Sequence, residues 1–160
     1  MSENTLQLTH IPDVKAGMLV RRPPAEVFQA FVDPAVTTKF WFTKSSGKMT
    51  PGARLRWDWE MYGASAQVRV DEVVEHSRIR YAWGDEDKLV PVELRFTPWE
   101  GDATYVEVVE SVLGGDGDAV VSHVADSVEG YVVVLCGLKA LLERDVVLNA
   151  VGDVHPGAAK

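Results

Sequence analysis

The chain has 160 residues, with 16 Lys and Arg against 24 Asp and Glu, a formal net charge of −8. That length suits one domain with a real core, and the acidic balance argues against nucleic acid and anionic membrane surfaces, which require a basic footprint. Cys136 is the only cysteine, which excludes an internal disulfide and a cysteine-based zinc site.

Residues 1–13 read as an arm. MSENTLQLTH has neither a basic n-region nor an apolar h-region, and no apolar run reaches about 18 residues, so the expectation is a cytoplasmic protein without an integral membrane segment. Residues 14–21 (VKAGMLVR) predict a strand. Arg22-Pro23-Pro24 ends it, because proline has no N–H for a ladder, and Pro24 suits the first turn of a helix. Residues 25–32 space Val27, Phe28 and Phe31 for that helix. Asp33-Pro34 interrupts it, and residues 35–40 predict a second short helix.

A β region follows the turn GKMTPG. Residues 53–61 form its opening strand, with Leu55, Trp57, Trp59 and Met61 on one face. Residues 64–74 alternate in the same way. Residues 78–83 put Ile79, Tyr81 and Trp83 on one face, residues 89–96 put Val90, Val92, Leu94 and Phe96 there, and residues 103–112 put Thr104, Val106, Val108 and Glu110 there. Tight turns between short strands predict an antiparallel meander. Arg54, Arg56, Asp58, Gln67, Arg69, Arg78, Arg80, Glu93, Arg95 and Glu107 make the other face, a solvated one with cross-strand charge pairs. LGGDGD breaks the sheet, and residues 119–144 predict one long helix. At about 100° per residue, Val120, Val124, Ser127, Val128, Tyr131, Val134, Leu135, Leu138 and Leu142 fall on one stripe. Gly130 and Gly137 lie within it at a cost in helix propensity, so each is expected to permit a close approach. The division expected is an arm (1–13), one domain (14–146) and a frayed tail (147–160).

Four segments together resemble a known superfamily: RPPAEVFQAFVDPAVTTKFW, PGARLRWDW, VVEHSRIRYAW and EGYVVVLCGLKALLE. They are similar to the START-like, helix-grip (SRPBCC) superfamily, in its branch related to the activator of Hsp90 ATPase. Tyr131 stands where that pattern usually has tryptophan, and Gly52-Ala53 where it usually has Gly-Gly. The resemblance implies an α+β helix-grip fold: a curved antiparallel sheet wrapped around a long C-terminal helix, with two short helices after the first strand. It also implies a deep cavity between sheet and helix that binds apolar or amphipathic molecules. Some relatives are cyclases or aromatases acting on polyketides, and others are chaperone cofactors.

No catalytic motif and no cofactor site emerges from the residues themselves. LGGDGD lacks the lysine and spacing of a P-loop. His10, His76, His123 and His155 are scattered, and neither Asp85-Glu86-Asp87 nor Asp116-Gly117-Asp118 matches a calcium-binding loop, so no metal is expected. There is no GxSxG elbow, and Cys136 points about 140° from the apolar stripe. Three polar residues lie among apolar neighbours. Glu110 is on the inward strand face, and His123 and Ser127 are four apart on one side of the helix. Together they suit orientation of a ligand hydroxyl or carbonyl, or acid–base work.

Three readings of different kinds follow. The first is a binding module for a small apolar or amphipathic ligand. Its lining is drawn from Phe28, Phe31, Phe40, Trp41 and Phe42 in the first helices and the link after them, and from Trp57, Trp59, Met61, Tyr81 and Trp83 in the strands. The long helix adds Val124, Ser127, Val128 and Tyr131. Of the paired tryptophans, Trp57 is expected as packed core, and Trp59 with Met61 as cavity wall. The second reading is an enzyme of cyclase, aromatase or hydrolase type, with Glu110, His123 or Tyr81 as proton donor or acceptor. The third is an interaction domain with a chaperone partner or a second copy, using Val132, Val133 and Cys136 off the core stripe.

Overall fold

A computed structural model describes residues 6–157; the outer ends of the expected arm and tail, 1–5 and 158–160, lie outside the described residues. Strand β1 (Val14–Val20) leads into helices α1 (Pro24–Val32) and α2 (Pro34–Thr37). The Asp33 side chain caps α2 by accepting the Ala35 N–H at 3.0 Å. Strands β2 (Lys44–Ser45), β3 (Arg54–Trp59), β4 (Ala64–Val74), β5 (Arg78–Asp85), β6 (Lys88–Trp99) and β7 (Ala103–Glu110) follow, then the long helix α3 (Gly117–Arg144) and a short α4 (Ala150–Asp153).

The strands form one curved antiparallel sheet in the order β1-β7-β6-β5-β4-β3-β2. The first strand therefore pairs with the last, Val14 opposite Glu110. This is the α+β helix-grip architecture, with α3 held against the concave face. Period-two alternation sets the core. Val14, Val20, Trp57, Ile79, Leu94 and Val106 are fully buried and meet Leu135 and Leu138 of α3. On the convex face Arg80 reaches Glu93 at 3.3 Å and Arg95 reaches Glu107 at 3.0 Å, each across a strand pair. Exposed pairs of this kind contribute about 0–1 kcal/mol each.

Helix α3 is not buried evenly. Tyr131, Val134, Leu135, Leu138 and Leu141 are buried, whereas Val124, Ser127 and Val128 are only half-buried and Val121 is exposed. The C-terminal half is pinned to the end of β1. Glu143 Oε2 accepts the Arg21 backbone N–H at 2.7 Å and Lys139 Nζ at 2.6 Å. Lys139 also donates to the Leu19 carbonyl. In the N-terminal half Val120 is buried and Val124 and Val128 pack partly against the core, while His123, Asp126 and Ser127 border an open space. By length and composition α3 is apolar enough to cross a membrane; here it is the core helix of the fold.

Three local expectations are corrected. The third strand ends at Trp59, because Glu60–Tyr62 turn as a 3₁₀ helix closed by Gly63 at φ 61°. Met61 therefore leaves the strand face that Trp57 and Trp59 occupy. The tail is partly ordered: α4 folds back beside the 3₁₀ turn, where the Tyr62 hydroxyl donates to the carbonyls of Val151 and Gly152. Of the two helical glycines, Gly137 lies against Phe40, where an added Cβ would stand 3.2 Å from the Phe40 Cβ, but Gly130 has nothing within 4 Å.

Candidate functional site

A cavity of about 510 Å³ opens between strands β3 to β6 and the middle of α3, from His123 to Val134. The space has a cause in side-chain size. Trp59 is paired with Ala64 across β3 and β4, and Trp57 with Ala66. Small residues opposite large ones leave volume that nothing else fills. Gly84 on β5 and Gly130 on α3 add none. Trp41, Trp59, Trp83 and Tyr131 form the aromatic wall, Val90, Val133 and Val134 extend it, and Val151, Val154 and His155 border the cavity from the C-terminal segment.

Glu110 ends β7 at the floor and is buried, at 3% exposure. A carboxyl so placed costs several kcal/mol unless hydrogen bonded. Here Oε1 accepts two bonds, from the Tyr131 hydroxyl at 2.5 Å and from Trp83 Nε1 at 3.0 Å. Oε2 faces His123 Nε2 at 3.4 Å. The same nitrogen lies 3.5 Å from Ser127 Oγ, and the His123 ring is half exposed at the mouth. Three elements thus converge on one carboxyl: β5 through Trp83, β7 through Glu110 itself, and α3 through Tyr131 and His123.

Burial pushes the Tyr131 phenol well above its ordinary pKa, and the adjacent Tyr81 and Glu110 push it further. Burial likewise raises Tyr81 well above the ordinary phenol value, with Glu110 adding to it. Both therefore stay neutral at ordinary pH. Among the described residues, Tyr81 Oη and Trp57 Nε1 are buried without a hydrogen-bond partner. The arrangement has a fixed acceptor at its floor, a neutral donor already committed to it, and an imidazole able to carry a proton between floor and solvent.

The sequence-predicted residues divide by depth. Trp41, Trp59, Trp83, Ser127 and Tyr131 line the cavity, as do the polar candidates Glu110 and His123. Phe28, Phe31 and Phe40 instead pack as a ring cluster with Phe96 beneath α1. Phe42 stacks on Trp57 at 4.5 Å between centroids, inside the core. Tyr81 lies behind the cavity wall, in edge contact with Trp57 and Trp83. Val124 and Val128 pack against the core cluster rather than line the space. Met61 borders a separate hollow of about 160 Å³ beside Leu148 and Gly152. Val133 lines the cavity, so it does not belong with Val132 and Cys136, which are exposed.

Sequence reasoning missed Tyr62, the small residues Ala64 and Ala66, Gly84 and Gly130, Val90 and Val134, the carboxylates Asp126 and Glu129, and the whole contribution of residues 151–155. The alanines carried a readable signal: two small residues at period two on the strand that returns from a tryptophan pair. Residues 151–155 carried none, since one turn of helix has no periodicity.

The family model for "Activator of Hsp90 ATPase homolog 1-like protein" matches residues 21–143. No curated protein matches the chain. Among solved structures, the Staphylococcus saprophyticus protein SSP2350 superposes with a TM-score of 0.74 at 29% identity, over 86% of this chain and 96% of that one. DynU16, described as a putative protein in the dynemicin biosynthetic locus, gives 0.75 at 26% identity; the match covers 84% of this chain but only 48% of DynU16. The Aha1 dimer from Colwellia psychrerythraea gives 0.70 at 15% identity, over 83% and 97%, a likeness of fold alone. The matched span runs from the residue after β1 through α1, α2 and strands β2 to β7 to Glu143 in α3, nearly all of the helix-grip framework around the cavity, and the chain belongs to the activator of Hsp90 ATPase homolog 1-like family.

Proposed function

We propose that the protein binds a small apolar or amphipathic molecule in the cavity between the sheet and α3. One observation carries this reading: an aromatic-walled space of about 510 Å³ whose floor is a single buried, doubly hydrogen-bonded carboxyl. Small-molecule pockets are apolar spaces of roughly 300–1,000 Å³ with a few placed polar groups. The ligand's apolar body lies against Trp41, Trp59 and Trp83, and its polar end lies toward Glu110 and His123. The position of DynU16 in a biosynthetic locus is consistent with a small-molecule role. Native mass spectrometry of the purified protein, with analysis of its organic extract, tests the reading. A retained small molecule that is lost in Ala66→Phe, which fills the cavity, supports it. Retention unchanged in that variant sinks it.

A second reading rests on the His123 contacts. An imidazole between Glu110 Oε2 and solvent provides a proton path of the kind used in cyclisation, dehydration or hydrolysis. Under that reading His123→Ala keeps ligand affinity and loses turnover. Under simple binding it changes affinity only.

A further inference from the structure

We infer that the cavity selects an organic cation, an amine or quaternary ammonium group on an apolar body; this deepens the binding reading above and rests on it. The lining has a one-sided charge. Glu110, Asp126 and Glu129 border the space, and among the described residues no lysine or arginine does. The histidines that border it each face a carboxylate already, His123 beside Glu110 and His155 beside Glu129, both at 3.4 Å. An anionic ligand therefore meets carboxylates with no fixed counter-charge, which is a built-in penalty against it.

The positive case is geometric. Both donors to Glu110 are neutral and both bond Oε1. Among the described residues the polar contact of Oε2 is His123 Nε2 at 3.4 Å, longer than a good hydrogen bond, so it keeps acceptor capacity toward the cavity. Trp41, Trp59, Trp83 and Tyr131 border the same space, and the rings of Trp41, Trp59 and Tyr131 pack against that of Trp83 with centroids 5.7, 5.8 and 6.2 Å from it. Ring faces carry negative potential and attract a cation within about 6 Å of the centroid, tryptophan most strongly. Aromatic walls around a buried acceptor thus supply both an ion partner and a cation–π surface.

Three probes of equal chain length separate the possibilities: decyltrimethylammonium, decanol and decanoate, each titrated calorimetrically into the full chain below its micelle concentration. The ammonium is expected to bind at one site per chain, at least tenfold tighter than decanol, with decanoate weakest. Glu110→Gln is expected to bring the ammonium-to-decanol ratio toward one. Asp126→Asn, at the exposed rim, lowers the ratio by a smaller factor and serves if Glu110→Gln fails to fold. Ala66→Phe abolishes the one-site ammonium isotherm; if that isotherm survives there, the cation binds the acidic surface and the inference falls. Decanoate or decanol binding as tightly as the ammonium overturns the charge preference and leaves the cavity reading standing. Failure of all three probes overturns both.

Discussion

Glu110 shows how one residue depends on three elements. Its position on the strand face of Val106 and Val108 identified it in the sequence as a carboxyl looking inward. The sequence did not reveal that the Trp83 indole and the Tyr131 phenol both end on Oε1, because that depends on how deeply α3 sits against β5 and β7. The Tyr131 hydroxyl is a buried donor to a carboxyl, the class of hydrogen bond that contributes about 1.5–3 kcal/mol. Tyr131→Phe is therefore expected to destabilise the fold by roughly that amount, measured as a lower urea midpoint at unchanged slope. An unchanged midpoint would mean that water replaces the phenol at no cost. The same depth effect explains the overestimate of the lining. Periodicity assigns Phe31 on α1 and Trp57 on β3 inward as readily as Trp59, but it is silent on whether inward means solid core or the edge of a space.

At the scale of elements, α3 has a side packed on the core and a side that borders the cavity, and its two glycines report on each. Replacing a helical glycine with alanine gains about 1 kcal/mol of propensity. At Gly137 the new methyl would press on Phe40 at 3.2 Å, and overpacking of this kind costs about 1–3 kcal/mol. At Gly130 it meets nothing. Gly130→Ala is expected to raise the thermal midpoint and Gly137→Ala to lower it. A gain from both would show that α3 shifts freely against Phe40.

The C-terminal half of α3 is also clamped electrostatically. Burial would raise the Glu143 carboxyl, but the Arg21 N–H and Lys139 together hold it below the ordinary glutamate value. A carboxyl with a lowered folded pKa contributes its stability above the unfolded value, about 4.3, and loses it as pH falls through the folded one. Glu143→Gln should therefore melt below the wild type at pH 7, and the gap should close as pH is lowered past about 4. A gap independent of pH would assign the effect to shape rather than charge. These long elements were legible because they repeat: period two gave the strands and the stripe gave α3. The two-residue β2 and the one-turn α4 are too short to show a period, and pairing alone creates the first.

Across the whole molecule the sheet and α3 form one body, and residues 145–157 lie against it with much less support. Asp145 and Asn149 bring the chain back through left-handed backbone, at φ 53° and 58°. The Tyr62 hydroxyl then holds α4 by its carbonyls at Val151 and Gly152. The segment has no buried residue, yet Val151, Val154 and His155 border the cavity. Its opening should therefore cost far less than global unfolding, the usual state of a segment with few buried apolar contacts. Tyr62→Phe removes the tie while keeping the ring. A lost hydrogen bond of about 1 kcal/mol multiplies the open population by about fivefold. Hydrogen exchange at the Asp153 and Val154 amides, which bond to the Asn149 and Ala150 carbonyls, should accelerate by that factor, while the amides of β5 and β6 keep their rates. Ligand entry should accelerate in parallel if the segment gates the cavity. Faster exchange throughout the sheet would instead make residues 145–157 part of the same cooperative unit, and the cavity would then open only when the whole fold does.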